Sequence, residues 1–139
     1  RDHGVVWPET VPMAPFEQFI DWTNTEKEQA PPVIKRAQPR FEHSGLWVIN
    51  QNGFLHKKTA QQYRSAQSGR GGCWCPCLCA SNRYWVVPLH REMTGDECLR
   101  LQGFDPAALK GLTNSEKRRR AGNSMTVPLV AAILRGLGI

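Results

Sequence analysis

The sequence lacks any long apolar run. A helix that crosses a bilayer needs about 20 consecutive apolar residues, and the longest candidate, Val127 to Ile139, is interrupted by Pro128 and Arg135. The N-terminal residues also lack the basic stretch and following apolar stretch that are typical of a secretory signal. We therefore expect no membrane segment. We expect an intracellular protein, in the cytoplasm or nucleoid of a prokaryote or virus, or in the nucleus of a eukaryote.

The sequence also lacks cysteines spread along the chain. It contains five, of which four alternate with other residues in one short segment: Cys73, Cys75, Cys77 and Cys79. Such a cluster cannot staple distant loops, which argues against a secreted disulfide scaffold. Zinc sites usually combine two separated ligand clusters, and four cysteines on one extended segment span too far to surround one ion. We expect free thiols and no metal, although His90 and Cys98 could in principle complete a zinc site.

Acidic residues are outnumbered by basic ones. The chain has 18 lysines and arginines against 12 acids, a formal net charge of +6 and a pI near 9.4. This balance favours a polyanionic partner, with nucleic acid the first candidate. An ordinary basic surface that maintains solubility is the alternative. The hydrophobic fraction of 40% and the 139 residues are those of a folded chain with one modest domain.

The order of residue types divides the chain into three regions. Residues 1–40 are rich in proline and are expected to form an arm or linker, with a short helix or turn from Phe16 to Trp22. In residues 41–90, β-branched and aromatic residues predict strands from Gly45 to Asn50 and from Cys73 to Pro88. A polar, basic stretch from Gln51 to Gly72 separates these two strands. Residues 91–139 form the third region, and together the regions predict a mixed α+β, loop-rich chain.

The third region carries helix signals. Thr94 followed by Glu97 is a capping box, which predicts a helix from Thr94 to Gln102 that Gly103 stops. A second helix is predicted from Asn114 to Arg120. A third, from about Val127 to Gly136, has proline in its first turn and an apolar face. Taken alone, the polar residues before it predict that Asn123 or Ser124 is its N-cap.

Two segments resemble sequence motifs of one protein family. Arg91 to Phe104, with the sequence REMTGDECLRLQGF, resembles the ninth motif of cytosine-5 DNA methyltransferases. Gly122 to Val130, with the sequence GNSMTVPLV, resembles the tenth and last motif. The resemblance implies a structural role for eight positions, and the ninth motif organises the DNA-reading domain. These positions are Arg91, Thr94, Glu97, Arg100, Gln102, Gly103 and Phe104 in the ninth motif and Gly122 in the tenth. For Arg91 and Arg100 an internal salt bridge is favoured over a DNA contact.

The tenth motif implies a cofactor role for particular residues. In the family the matching positions line the S-adenosyl-L-methionine pocket from the side opposite its glycine-rich loop. The resemblance therefore implies that Asn123 and Ser124 contact this cofactor, with Val127 as a packing contact. From the residues alone, helix capping is the competing interpretation.

The region upstream of the ninth motif resembles the end of the family's target-recognition region. Cys77-Leu78 stands where a Thr-Leu pair is common, and a thiol is a weaker hydrogen-bond donor than a hydroxyl. The resemblance implies that duplex DNA is the partner of residues 41–90. The basic and polar residues available to contact it are Lys57, Lys58, Gln61, Gln62, Arg64, Arg70, Asn82 and Arg83. A solvated basic loop is the alternative for each of them.

The catalytic motifs of the family are not found in these residues. Pro76-Cys77 is followed by leucine rather than glutamine, and no Phe-x-Gly-x-Gly or Glu-Asn-Val segment occurs. The resemblance implies a small, irregular β-rich recognition lobe and C-terminal helices that pack onto a Rossmann-like methyltransferase domain. We expect the chain to be inactive alone, as a fragment or small subunit whose larger catalytic partner or upstream domain carries the nucleophile. The alternatives are a stand-alone DNA-binding or regulatory module and a zinc-stabilised interaction module.

Overall fold

The described part of the chain includes a small antiparallel sheet. The computed structural model describes residues 4, 6–9, 14, 16–35, 48–51, 75 and 77–139. Within them, three strands lie in the order β1 (Val48–Asn50), β2 (Tyr84–Val86) and β3 (Arg91–Glu92). Val86 lies opposite Val48 on one side and Arg91 on the other. β2 is central and fully buried, and its Tyr84 and Val86 side chains belong to the core that α1 and α2 also supply.

Three helices follow the sheet. They are α1 (Gly95–Leu101), α2 (Asn114–Asn123) and α3 (Val127–Gly136). Short 3-10 helices span Phe16–Phe19, Val87–Leu89 and Pro106–Leu109, and residues 32–35 are also helical. α1 packs closely against α2, since a β-carbon at Gly95 would lie 2.8 Å from the Asn114 carbonyl oxygen. Strands and helices together confirm the predicted α+β class.

The ends of α1 are set by local sequence. Thr94 and Glu97 form the predicted capping box, in which the Thr94 side chain accepts from the Glu97 N–H and the Glu97 carboxylate accepts from the Thr94 N–H. At the other end Gly103 has φ +86°. The Gly103 and Phe104 N–H groups donate to the carbonyls of Arg100 and Leu99, which is the Schellman arrangement. The predicted helix from Thr94 to Gln102 is therefore confirmed, with Thr94 as its N-cap and Gln102 as its C-cap.

The core lies where the sheet meets α1 and α2. Its buried residues come from all parts of the described chain: Phe16, Ile20, Val48, Tyr84, Val86, Met93, Cys98, Leu99 and Ala121. The predicted helix or turn at Phe16 to Trp22 thus contributes two side chains to this core. The division into residues 1–40, 41–90 and 91–139 stays a prediction.

Two expectations about local structure were wrong. Within the described part of the strand predicted from Cys73 to Pro88, only Tyr84–Val86 is a strand, because residues 77–79 are bound through their backbone to the Tyr84 hydroxyl and lead into a turn at Ala80 and Ser81. Neither Asn123 nor Ser124 is the N-cap of α3. Asn123 is the last residue of α2, Ser124 is its C-cap, and Thr126 occupies the N-cap position of α3.

The described residues contain no helix that is long and apolar enough to cross a membrane. Cys77, Cys79 and Cys98 are free cysteines, and burial raises the pKa of Cys98 to about 12. Cys73 lies outside the described residues. Within the described ranges, no three His, Cys, Asp or Glu side chains come together in a group that could hold a metal ion.

Candidate functional site

A buried ion pair joins β3 to α1. The Arg91 Nη1 and Nη2 atoms lie 2.7 and 3.0 Å from the two carboxylate oxygens of Glu97. The two side chains are 1% and 0% exposed. Arg91 also donates to the carbonyls of Asp21 and Asn24, and the Asp21 N–H donates to Glu97. The pair therefore fixes the proline-rich N-terminal region to the ninth motif.

The hydrogen bonds to Glu97 decide its charge. Burial alone would raise the pKa of this carboxyl, but the bonds from Arg91 and from the Thr94 and Asp21 N–H groups outweigh it and hold the pKa below its usual value. Glu97 is thus an anion whose acceptor sites are used within the protein. Arg91 has its internal salt bridge, and Arg100, which lies on α1 as Glu97 does, is half-buried.

The side chain of Gln102 holds in place the segment that resembles the tenth motif. Its Nε2 donates to the Ala121 carbonyl at 3.0 Å, and its Oε1 accepts from the Thr126 hydroxyl at 2.9 Å. Its own carbonyl accepts from the Val127 N–H at 2.8 Å. These bonds reach both ends of the segment 121–126, so we call this arrangement the Gln102 clamp. The clamp fixes the path of the chain through Asn123 and Ser124.

Gly122 in the same segment touches the end of the predicted recognition region. A β-carbon there would overlap the backbone nitrogen of Ala80 and the carbonyl carbon of Cys79. The approaching segment is held by Tyr84, whose hydroxyl accepts from the Cys79 N–H at 2.8 Å and donates to the Cys77 carbonyl at 2.7 Å. Only glycine fits at this crossing, which explains its place in the motif.

Two open cavities flank the clamped segment. One, of about 600 Å³, is lined by Leu99, Phe104, Leu109, Arg119, Arg120, Asn123 and Ser124. The other, of about 570 Å³, includes Cys77, Gln102, Gly122, Ser124 and Thr126 in its lining. Asn123 is exposed and Ser124 is half-buried, with its hydroxyl donating to the Ala121 carbonyl. Ser124 therefore lies between two concave surfaces, either of which has room for a small ligand.

The predicted DNA-contacting residues are only partly described. Lys57, Lys58, Gln61, Gln62, Arg64 and Arg70 lie outside the described residues. Asn82 and Arg83 follow the turn at Ala80 and Ser81 and lie beside α2. Arg83 is exposed and lies 3.7 Å from Glu92. Val127, predicted as a packing contact for the cofactor, lies at the start of α3 and is partly exposed.

Some contacts at this site were not predicted from the sequence. Thr113 and Glu116 form a second capping box, which starts α2 and was visible in the sequence as the same Thr-x-x-Glu spacing. The bond from Arg118 to Glu92, at 3.0 Å, joins α2 to β3 and has no local signal. The contact of Tyr84 with residues 77–79 has no local signal in the sequence either, because it depends on the turn between them.

The Gln102 clamp yields a stability prediction. Gln102→Leu keeps a similar volume but removes both side-chain bonds, while the Ala121 carbonyl keeps its bond from the Ser124 hydroxyl and the exposed Thr126 hydroxyl turns to water. We therefore expect the free energy of unfolding to fall by about 1 to 2 kcal/mol. Urea denaturation would measure it. Thr126→Val removes one of the two side-chain bonds and should cost less. If the two changes together cost the full sum of the separate effects, the two side chains are not coupled and the clamp is refuted.

Comparison with known proteins gives an independent line of information. The model of a family described as C-5 cytosine-specific DNA methylase matches residues 14–138. The Type II methyltransferase M.NgoBI of Neisseria gonorrhoeae is 32% identical over 110 residues, which cover 79% of this chain and 30% of that protein. The Type II methyltransferase M.HaeII of Haemophilus aegyptius is 45% identical over 53 residues, 38% of this chain and 17% of that protein. The chain thus spans less than a third of either relative. No solved structure matches it.

Proposed function

The chain belongs to the C-5 cytosine-specific DNA methylase family, a family of enzymes, and from this premise we propose that it reads DNA and closes the cofactor pocket of a DNA cytosine-5 methyltransferase. Residues 41–90 would be its target-recognition region and residues 91–139 would complete the catalytic domain. The proposed reaction moves a methyl group from S-adenosyl-L-methionine to C5 of a cytosine in duplex DNA. The cytosine would be flipped into the active site and attacked at C6 by a cysteine outside these residues.

The observation that carries the proposal is the Gln102 clamp. It joins the end of α1 to both ends of the segment 121–126, so the two motifs of the family act as one rigid unit. Asn123 and Ser124 lie at the edge of the 600 Å³ cavity, where a cofactor would meet them. The amide of Asn123 offers both a donor and an acceptor, and the Ser124 hydroxyl oxygen can accept, since its proton and the Ser124 N–H are given to the Ala121 carbonyl. These groups suit the polar parts of S-adenosyl-L-methionine.

The exposed face of α3 supports docking onto a catalytic domain. None of the residues of α3 is fully buried within the described chain, and Leu129 and Leu134 are 52% and 40% exposed. Met125 and Leu137 extend this apolar surface. A surface of this kind on a folded protein usually meets another surface. We propose that it meets the domain that carries the nucleophile and the glycine-rich loop.

A methyl-transfer assay tests the proposal. The purified chain would be mixed with duplex DNA and labelled S-adenosyl-L-methionine, alone and with the polypeptide that is encoded directly upstream and carries Pro-Cys-Gln and Phe-x-Gly-x-Gly segments. If the upstream coding sequence is in frame, the longer chain is assayed instead. We expect 5-methylcytosine only when those segments are present. Leu129→Asp places a charge on the exposed face of α3 and should abolish the transfer while leaving the chain folded, as judged by circular dichroism.

A stand-alone DNA-binding or regulatory module is the competing function, favoured by the net charge of +6. It predicts salt-dependent binding of duplex DNA by the chain alone, together with indifference to S-adenosyl-L-methionine. Absence of methyl transfer with the upstream polypeptide, combined with such binding, would replace the enzyme proposal by this one.

A further inference from the structure

A small polar pocket lies between the turn at residues 80–83 and the first half of α2. Its volume is about 170 Å³. Apart from Ala80, its lining is polar or charged: Ser81, Asn82, Arg83, Ser115, Arg118 and Arg119. Three of these six residues are arginines and none is acidic. The pocket is separate from the two cavities beside the Gln102 clamp, with which it shares only Arg119.

The arginines of this pocket are only partly neutralised. Arg118 donates to Glu92 at 3.0 Å and to the Met93 carbonyl, and the exposed Arg83 lies 3.7 Å from the same carboxylate. Arg119 is exposed and makes no ion pair with any described residue, although Glu116 lies one turn away on the same helix. One carboxylate, Glu92, therefore contacts two of three guanidinium groups, and the pocket keeps an excess of positive charge.

We propose that this pocket binds a backbone phosphate of duplex DNA, with Arg83 and Arg119 as its two phosphate ligands. The inference rests on the proposed function and adds a site to it. A guanidinium presents paired N–H donors that match phosphate oxygens. Ser115 and Ser81 add hydroxyl groups in the same lining. Among the described residues that line the pocket there is no aromatic or large apolar side chain on which a base could stack, so their chemistry fits the phosphate rather than the base.

The architecture around the pocket supports this assignment. Glu92 of β3 holds Arg118, which lines the pocket, and also accepts from Gln51 at 3.1 Å, so the position of this guanidinium is preorganised. Arg83 and Arg119 project from two different elements, the turn before β2 and the helix α2. A phosphate between them would therefore connect the proposed recognition region to the segment that carries Asn123 and Ser124.

Salt-dependent binding of a short DNA duplex by the 139-residue chain tests the site. We expect Arg119→Gln and Arg83→Gln each to weaken binding about tenfold at low salt, irrespective of DNA sequence, and to lower the slope of log K against log salt by about one. Both side chains are exposed, so the variants should fold as the wild type does. Arg135→Gln, in the last turn of α3, is the matched control because it removes the same charge outside the pocket. We expect it to keep the wild-type slope.

The other outcomes separate this site from the proposed function. If the wild type binds duplex DNA and all three variants share one reduced affinity, the charge acts only through the overall field and the phosphate site is refuted. If inorganic phosphate shifts the NMR signals of residues 80–83 and 115–119 but Arg119→Gln leaves DNA binding unchanged, the pocket holds a free anion and the DNA assignment is wrong. If the wild type does not bind duplex DNA, the site is also refuted. Failure of the enzyme proposal is measured in a different experiment, the methyl-transfer assay, as absence of methyl transfer in the presence of the upstream polypeptide.

Discussion

Glu97→Gln should lower the free energy of unfolding by about 3 to 5 kcal/mol, the loss that follows when one partner of a buried ion pair is removed. The substitution keeps the size of the side chain but leaves the guanidinium of Arg91, 1% exposed, without its counter-charge. It also turns an oxygen that accepts from the Thr94 or Asp21 N–H into an NH₂ group that cannot accept. Chemical denaturation monitored by tryptophan fluorescence would measure the change.

The same carboxyl makes the stability depend on pH in a defined direction. In the folded protein the pKa of Glu97 lies below 4.5, the ordinary value of a glutamate in an unfolded chain. Its contribution is therefore fully present above that unfolded value and is lost as the pH falls through the folded pKa. We expect the wild type to lose stability steadily below about pH 4.5, and the Gln variant to lack this component of the acid response.

Asp96→Asn is the matched control for Glu97→Gln. Asp96 lies next to Glu97 on α1 and pairs with Lys117 at 2.7 Å, but its side chain is 42% exposed. Exposed pairs contribute at most about 1 kcal/mol, so this variant should change stability little. If both variants cost the same small amount, Arg91 finds another partner or water, and the ion pair does not hold the N-terminal region to the ninth motif.

Local signals in the sequence were sufficient to predict α1. Thr94, Glu97 and Gly103 are close in sequence, and each acts on the backbone within one turn, so the start, the end and both caps of this helix could be predicted. The same rule finds α2 through Thr113 and Glu116. The periodic spacing of apolar residues was sufficient to predict α3, whose apolar face is exposed in the described chain.

Long-range contacts could not be predicted in the same way. Residues 75–83 have strand-like composition, but the Tyr84 hydroxyl competes for the backbone groups of Cys77 and Cys79 that a strand would pair. The N-cap expectation for Asn123 and Ser124 failed because α2 extends beyond Arg120 and uses both residues at its end. Arg91 could be expected to form an internal salt bridge. Its partners at Asp21 and Asn24 are distant in sequence, and no pattern joins them.

Gly122→Ala should destabilise the protein by about 3 kcal/mol, at the upper end of the range for overpacking. An added β-carbon meets backbone atoms of Cys79 and Ala80, which cannot turn aside as a flexible side chain can. The segment 77–79 is also tied to the buried Tyr84, so relief of the overlap would disturb the core. The measurement is again chemical denaturation, with methyl transfer in the assembled enzyme as a second readout.

The sign of the effect at Gly122 makes this prediction decisive. In a helix with open space beside it, alanine is more stable than glycine by about 0.5 to 1 kcal/mol, because glycine loses more backbone freedom on folding. A stabilised variant would therefore mean that residues 79–80 do not touch α2. Asn123→Ala, the next residue of α2, is exposed and should change stability by no more than about 0.5 kcal/mol. If Gly122→Ala loses both stability and methyl transfer whereas Asn123→Ala loses only methyl transfer, the crossing at Gly122 holds the segment in place and Asn123 contacts the cofactor.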